Sequence, residues 1–216
     1  MDIILSGANG RIQASYYKNP NPKAPIAVVF HDVPTNGGNM NEKVNYTIFY
    51  AFLQKGFSVI RFNFPGVGNT QGIFEAGEPE LTDASTVVDW IQEQNEEATE
   101  FWLAGVGFGA WVAMQLLMRR IEVSGYIAVS PSPKKYDFGF FNPAPCSGLI
   151  IGAGNDNTIP DDSLKGLINY INKQNFAQSS YKVISGANKN YEGKLKDLFT
   201  LICTYLEKNV KNKQVL

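Results

Sequence analysis

The ten residues Phe101-Trp102-Leu103-Ala104-Gly105-Val106-Gly107-Phe108-Gly109-Ala110 decide how the chain folds. An apolar run of strand length ends in a turn with glycine at alternate positions, and helical periodicity then runs from Ala110 to Arg120. A strand that turns sharply into a helix is the unit of a parallel sheet covered on both faces. The alternation continues upstream, where strands Ile26 to Phe30 and Phe57 to Phe62 are spaced by helices Glu42 to Gln54 and Glu80 to Gln94. Downstream, strands Tyr126 to Val129, Leu149 to Gly152 and Tyr181 to Ile184 alternate with helices Asp161 to Gln174 and Gly193 to Lys208. At the start, the alternating stretches Ile3 to Ser6 and Arg11 to Tyr17 flank Gly7-Ala8-Asn9-Gly10, a hairpin turn. The expectation is an α/β fold in one domain spanning 1–216. It has a mostly parallel eight-stranded sheet, an N-terminal antiparallel ribbon and helices on both faces.

Charge and composition narrow the partners. Nineteen basic and twenty acidic residues leave a net charge of −1, which provides no footprint for nucleic acid or an anionic membrane. Met1 to Gly7 carries no basic, apolar leader, and no apolar run is long enough to span a bilayer, so a cytoplasmic protein is expected. Cys146 and Cys203 fit no metal or redox spacing and read as free thiols of a reducing compartment. With His31 as the single histidine, a histidine-rich metal site is excluded, and no cofactor or metal is expected.

In open α/β sheets, ligands sit beyond the carboxyl ends of the strands. The loops there are His31-Asp32-Val33-Pro34 through Gly37-Gly38, Asn63-Phe64-Pro65-Gly66-Val67-Gly68, the glycine-rich turn, and two late loops at Gly154 to Pro160 and Gly186 to Tyr191. Together with Met40, Arg61-Phe62 and Ala110-Trp111, these stretches resemble the small, lidless bacterial α/β-hydrolases related to dienelactone hydrolases and serine esterases. That resemblance implies a Gly-x-Ser-x-Gly elbow presenting a serine, followed in chain order by an acid and a histidine. Here the nucleophile position holds Gly107, the acid position Asp156, and the base position, in Gly186-Ala187-Asn188-Lys189, holds Lys189.

Acyl transfer by this fold needs an oxygen nucleophile, a base and an orienting acid, and two of the three are missing. The resulting expectation is a catalytically impaired protein that acts by binding or interaction. A hydrolase of weak or unconventional esterase- or peptidase-like activity is the alternative. Gly105-x-Gly107-x-x-Ala110 also matches a dinucleotide fingerprint, but the next strand ends at Ser130 with no acidic residue for a ribose, which leaves nucleotide binding the weaker option. The resemblance further implies an oxyanion hole built from the Phe108 amide and that of Asp32 or Val33. At the N-terminus of a helix, it would suit a small carboxylate or other anion, or ordered water. His31 is expected to shape this loop rather than move protons, and Lys189 to pair with Asp156 within about 4 Å rather than form a Schiff base. Trp90, Trp102 and Trp111 read as core, and the ring-rich segment 137–143 as cleft lining or a contact for a protein partner or second copy.

Overall fold

A computed structural model describes residues 1–174 and 177–211. One eight-stranded sheet runs in the order β1-β2-β4-β3-β5-β6-β7-β8. β1 (Asp2–Gly7) and β2 (Gly10–Tyr17) form an antiparallel hairpin, and β2 pairs antiparallel with β4 (Ser58–Phe62). The remaining pairings are parallel, through β3 (Ile26–Phe30), β5 (Phe101–Val106), β6 (Gly125–Val129), β7 (Gly148–Ala153) and β8 (Ser180–Ile184). Strands β3, β4, β5 and β6 are buried at every position, as a sheet covered on both faces requires.

Among the described residues, five α-helices supply that cover. α2 (Glu78–Glu93), α3 (Phe108–Leu117) and α4 (Asp161–Ile171) contribute to one core, built on Phe30, Phe62, Phe64 and Tyr126. α1 (Lys43–Gln54) and α5 (Leu195–Asn209) pack on the other face around Phe52, Phe57, Trp102 and Tyr191. Burying such aromatic side chains is worth about 2 to 3 kcal/mol each, so the two cores rather than helix propensity hold these segments.

The departures from the sequence expectation are local. α3 begins at Phe108, two residues before Ala110, and α4 ends at Ile171, with a 3₁₀ turn over Asn172–Gln174. Trp102 is buried, whereas Trp90 and Trp111 are partly buried against the core. Segment 137–143 turns Phe138 and Phe141 into the core, so those rings are packing residues. Cys203 is buried, Cys146 is half-buried, and both are free thiols.

Candidate functional site

The site is built around the turn from β5 into α3. Gly107 stands there at φ 54°, ψ −111°, with its N–H donating to the Val129 carbonyl at 2.9 Å. Side chains avoid that conformation, and glycine adopts it freely. The flanking glycines have a packing reason. A Cβ on Gly105 would lie 2.6 Å from the Ala110 nitrogen, and one on Gly109 would lie 2.6 Å from the Phe30 carbonyl carbon. Close strand-to-helix packing thus accounts for Gly105 and Gly109, and the positive φ for Gly107.

Gly107 has no side chain to cap α3, and the cap comes from another loop. Asp32, just beyond β3, accepts the Phe108 N–H on Oδ1 at 2.9 Å, while its Oδ2 accepts from Asn36 Nδ2 at 3.2 Å. A carboxylate against the first N–H of a helix is favoured by charge-assisted hydrogen bonding and by the helix dipole. The same carboxylate fills the space that a side chain at 107 would need. A Cβ there would stand 2.6 Å from Asp32 Cγ and 3.0 Å from Oδ2, and nearer still to Oδ1. The amide expected to meet an external anion therefore carries Asp32.

His31 holds this loop from beneath. Its Nε2 accepts the Phe64 N–H at 2.9 Å, which leaves the proton on Nδ1 to donate to the Asp32 carbonyl at 2.6 Å. The ring is fully buried and leans on Phe64 at 4.5 Å between centroids. Burial brings its pKa down to about 4, despite the opposing pull of the Asp32 carbonyl and charge. A neutral imidazole with both nitrogens engaged is a structural strut. Val33 is buried in the same core as Phe108, and neither it nor His31 lines the cleft.

The far side of the cleft is furnished differently. Asp156, after β7, accepts on Oδ1 from Thr158 N at 2.7 Å and Thr158 Oγ1 at 2.6 Å, while Oδ2 is buried without a partner. Lys189, after β8, is half-buried and lines the same cleft. The ion pair expected between them is not formed: no Lys189–Asp156 contact within 4.0 Å occurs among the salt bridges of the described residues. Oδ1 is held by Thr158, and that turn satisfies half the carboxylate without any cation.

Ser130, with no signal in the triad pattern, lines the cleft, and the buried Tyr191 stands behind it. Ser130, after β6, and Tyr191 share a 2.8 Å hydroxyl hydrogen bond, and both adopt positive φ, 46° and 53°. Burial raises the Tyr191 phenol, and the Asp156 charge adds to the rise. Tyr136, on the facing loop, is pushed up to about 12 by burial and by Asp32. The cleft, with a cavity of about 60 Å³, is lined among others by Asp32, Gly107, Ser130, Tyr136, Asp156 and Lys189. It has room for several waters or one small organic group.

Similarity to known proteins agrees with this architecture. The chain is 40% identical over 208 residues to an uncharacterised Rickettsia prowazekii protein, RP471, covering 94% of this chain and 87% of the relative. The Agrobacterium tumefaciens protein ATU1826, of unknown function, superposes with a TM-score of 0.95 at 37% identity, over 99% of this chain and 98% of that one. An alpha-beta serine hydrolase homologue from Coxiella burnetii follows at 0.86 and 27%, over 95% and 97%. The family model for X-Pro dipeptidyl-peptidases matches residues 10–142, which include the Asp32 loop and the elbow but stop short of Asp156 and Lys189. With more than half its length matched by that model and an α/β-hydrolase sheet throughout, the chain belongs to the S15 family of X-Pro dipeptidyl-peptidases.

Proposed function

We propose that this chain is a non-catalytic member of its family, a binding protein whose cleft has lost the nucleophile and base. One observation carries the proposal: the Asp32 carboxylate stands where the side chain of an elbow nucleophile would stand, on the amide that would stabilise an oxyanion. A carboxylate already seated there repels the negative charge that develops during acyl transfer.

Surrogate machinery finds no support. Ser130 pairs with a phenol whose pKa is raised, so Tyr191 is a poor proton acceptor at neutral pH. Ser132 also lines the cleft, but His31, the single histidine, has both nitrogens occupied. A cytoplasmic setting belongs to the same proposal, supported by two unbridged cysteines. The test is turnover of short acyl-nitrophenyl esters and X-Pro-nitroanilides by the purified chain. No rate above background is expected. Turnover that stays with the protein through purification and is abolished by Ser130→Ala or Ser132→Ala would overturn the proposal.

A further inference from the structure

The N-terminal hairpin rests on a buried carboxyl group. Asp83, on α2, is 1% exposed, and its Oδ1 has no hydrogen-bond partner. That oxygen faces the hairpin turn: a Cβ on Gly7 would lie 2.9 Å from it and 2.6 Å from Ile12 Cδ1, so only glycine lets the turn approach so closely. Of the groups packed against Asp83, Glu80 on α2 adds a like charge, while the hairpin presents Gly7, Ile12 and the Asn9 side chain, none of which titrates. No cationic side chain lies within 4.0 Å of it among the described residues. Burial, opposed by the Asn9 hydrogen bond and reinforced by the Glu80 charge, raises its carboxyl to about 6. The neutral acid suits this place beside the core, whereas the carboxylate is an uncompensated buried charge.

The turn that covers Asp83 is stitched to the loop between β4 and α2. The Gln71 N–H donates to the Arg11 carbonyl at 2.8 Å, and the Arg11 N–H donates to Gln71 Oε1 at 2.9 Å. A Cβ on Gly72 would lie 3.4 Å from Asn9 Cβ. Two residues on, Phe74 meets the Phe108 ring edge to face, 5.3 Å between centroids, at the start of α3. We infer that Asp83 is a proton-operated latch: neutral, it seats the Gly7–Gly10 turn on α2, and ionised, it gains water by lifting the turn. The displacement passes through Gln71 and Phe74 to the elbow. In the closed turn the carboxyl holds its proton up to a pH of about 6, and in the open turn it returns toward its ordinary value of 3.8. The closed turn is thus favoured at low pH and loses that advantage as pH rises through 6. Between pH 5 and 7 the opening equilibrium should grow about tenfold.

The latch acts whether or not the cleft is catalytic. Amide hydrogen exchange, read by NMR on the ¹⁵N-labelled full chain from pH 5 to pH 7, tests it. After correction for the base-catalysed rise in intrinsic exchange, protection of the Arg11 and Gln71 amides should fall about tenfold across that range. Asn155, whose N–H donates to the Ala187 carbonyl on the far wall, is the control and should keep its protection. Asp83→Asn, neutral throughout, should hold Arg11 and Gln71 level. The ¹³C shift of the Asp83 carboxyl should titrate with a midpoint of about 6, and the Phe108 amide should show a step with the same midpoint that Asp83→Asn removes. Should Asp83→Asn fail to fold, the carboxyl titration and the exchange series of the parent decide alone. The latch is overturned if the Asp83 carboxyl titrates near its ordinary value of about 4, or if protection at Arg11 and Gln71 stays flat or falls no more than at Asn155. It is overturned equally if Asp83→Asn leaves that pH dependence or the Phe108 step in place.

Discussion

The two walls of the cleft are furnished in opposite ways. On the elbow wall, Asp32 caps α3, occupies the space beside Gly107 where a side chain would stand, and is itself held by His31 and Asn36. On the far wall, no comparable contact is made. Asp156 keeps an orphaned oxygen and Lys189 reaches no partner among the described ion pairs. The difference teaches that a helix N-terminus without a side-chain cap of its own takes an acceptor from another loop, since a cap is worth about 1 kcal/mol and its absence leaves a buried N–H unpaired.

The sharpest way to break this contrast is to rebuild catalysis. Gly107→Ser with Lys189→His should stay at background on an activated ester, because Asp32 collides with the new serine and blocks the Phe108 amide. Adding Asp32→Gly should raise kcat/KM at least about a hundredfold over that double variant, the order of magnitude that one oxyanion donor supplies. If the double variant is as fast as the triple, Asp32 obstructs nothing.

A smaller effect should be read in the pH dependence of stability. His31 on the elbow wall is held near a pKa of about 4, so between pH 6.5 and 4 the unfolded chain binds a proton that the folded chain does not. Stability contributed by neutral His31 is complete above pH 6.5 and is lost as pH falls through that window, by up to about 3 kcal/mol. Asp83, under the N-terminal hairpin, works in the other direction: burial raises its carboxyl to about 6, with Oδ1 unpartnered. The folded chain therefore takes up that proton first and gains about 2 kcal/mol as pH falls from 6 to 4. Asp83→Asn should be more stable than the parent at pH 7 and should lose stability more steeply toward pH 4, as followed by urea denaturation. Parallel profiles would show that Asp83 does not offset His31.

The smallest effect belongs to the far wall. Lys189→Ala should change stability by no more than about 0.5 kcal/mol, since its ammonium makes no ion pair in the described structure. A loss above about 1 kcal/mol in thermal melting would mean that the Asp156 pairing forms in solution.

Most of the fold was legible because its signals are local. Ile26 to Phe30 is a buried strand end to end, and Gly7 to Gly10 closes the hairpin as its glycine and asparagine suggest. Gly107, Asp156 and Lys189, picked out from their loops, all line one cleft. Hidden from the sequence was the coupling of Asp32 to Gly107, because it depends on the direction of one side chain across 75 residues of chain separation (107 − 32). An acidic residue in the loop after β3, occurring with a glycine at the elbow, is the signal that could have exposed it. Asp156 and Lys189 misled in the opposite sense: adjacent loops suggested a charge pair, whereas Thr158, two residues on, had already claimed one carboxylate oxygen.

The central claim is that Asp32 and Gly107 form one unit, and a double-mutant cycle between them tests it most directly. Unfolding free energies are measured for the parent, Asp32→Ala, Gly107→Ala and the pair. In the parent, Gly107→Ala should cost about 3 kcal/mol, because the new Cβ carries the positive-φ strain and also expels the carboxylate from the Phe108 amide. With Asp32 already alanine, the same change should cost only the backbone strain, about 1 kcal/mol, leaving a coupling of about 2 kcal/mol. Additive effects, with Gly107→Ala equally costly in both backgrounds, would mean that the carboxylate and the missing side chain do not share one space, and the account of the elbow wall would fail.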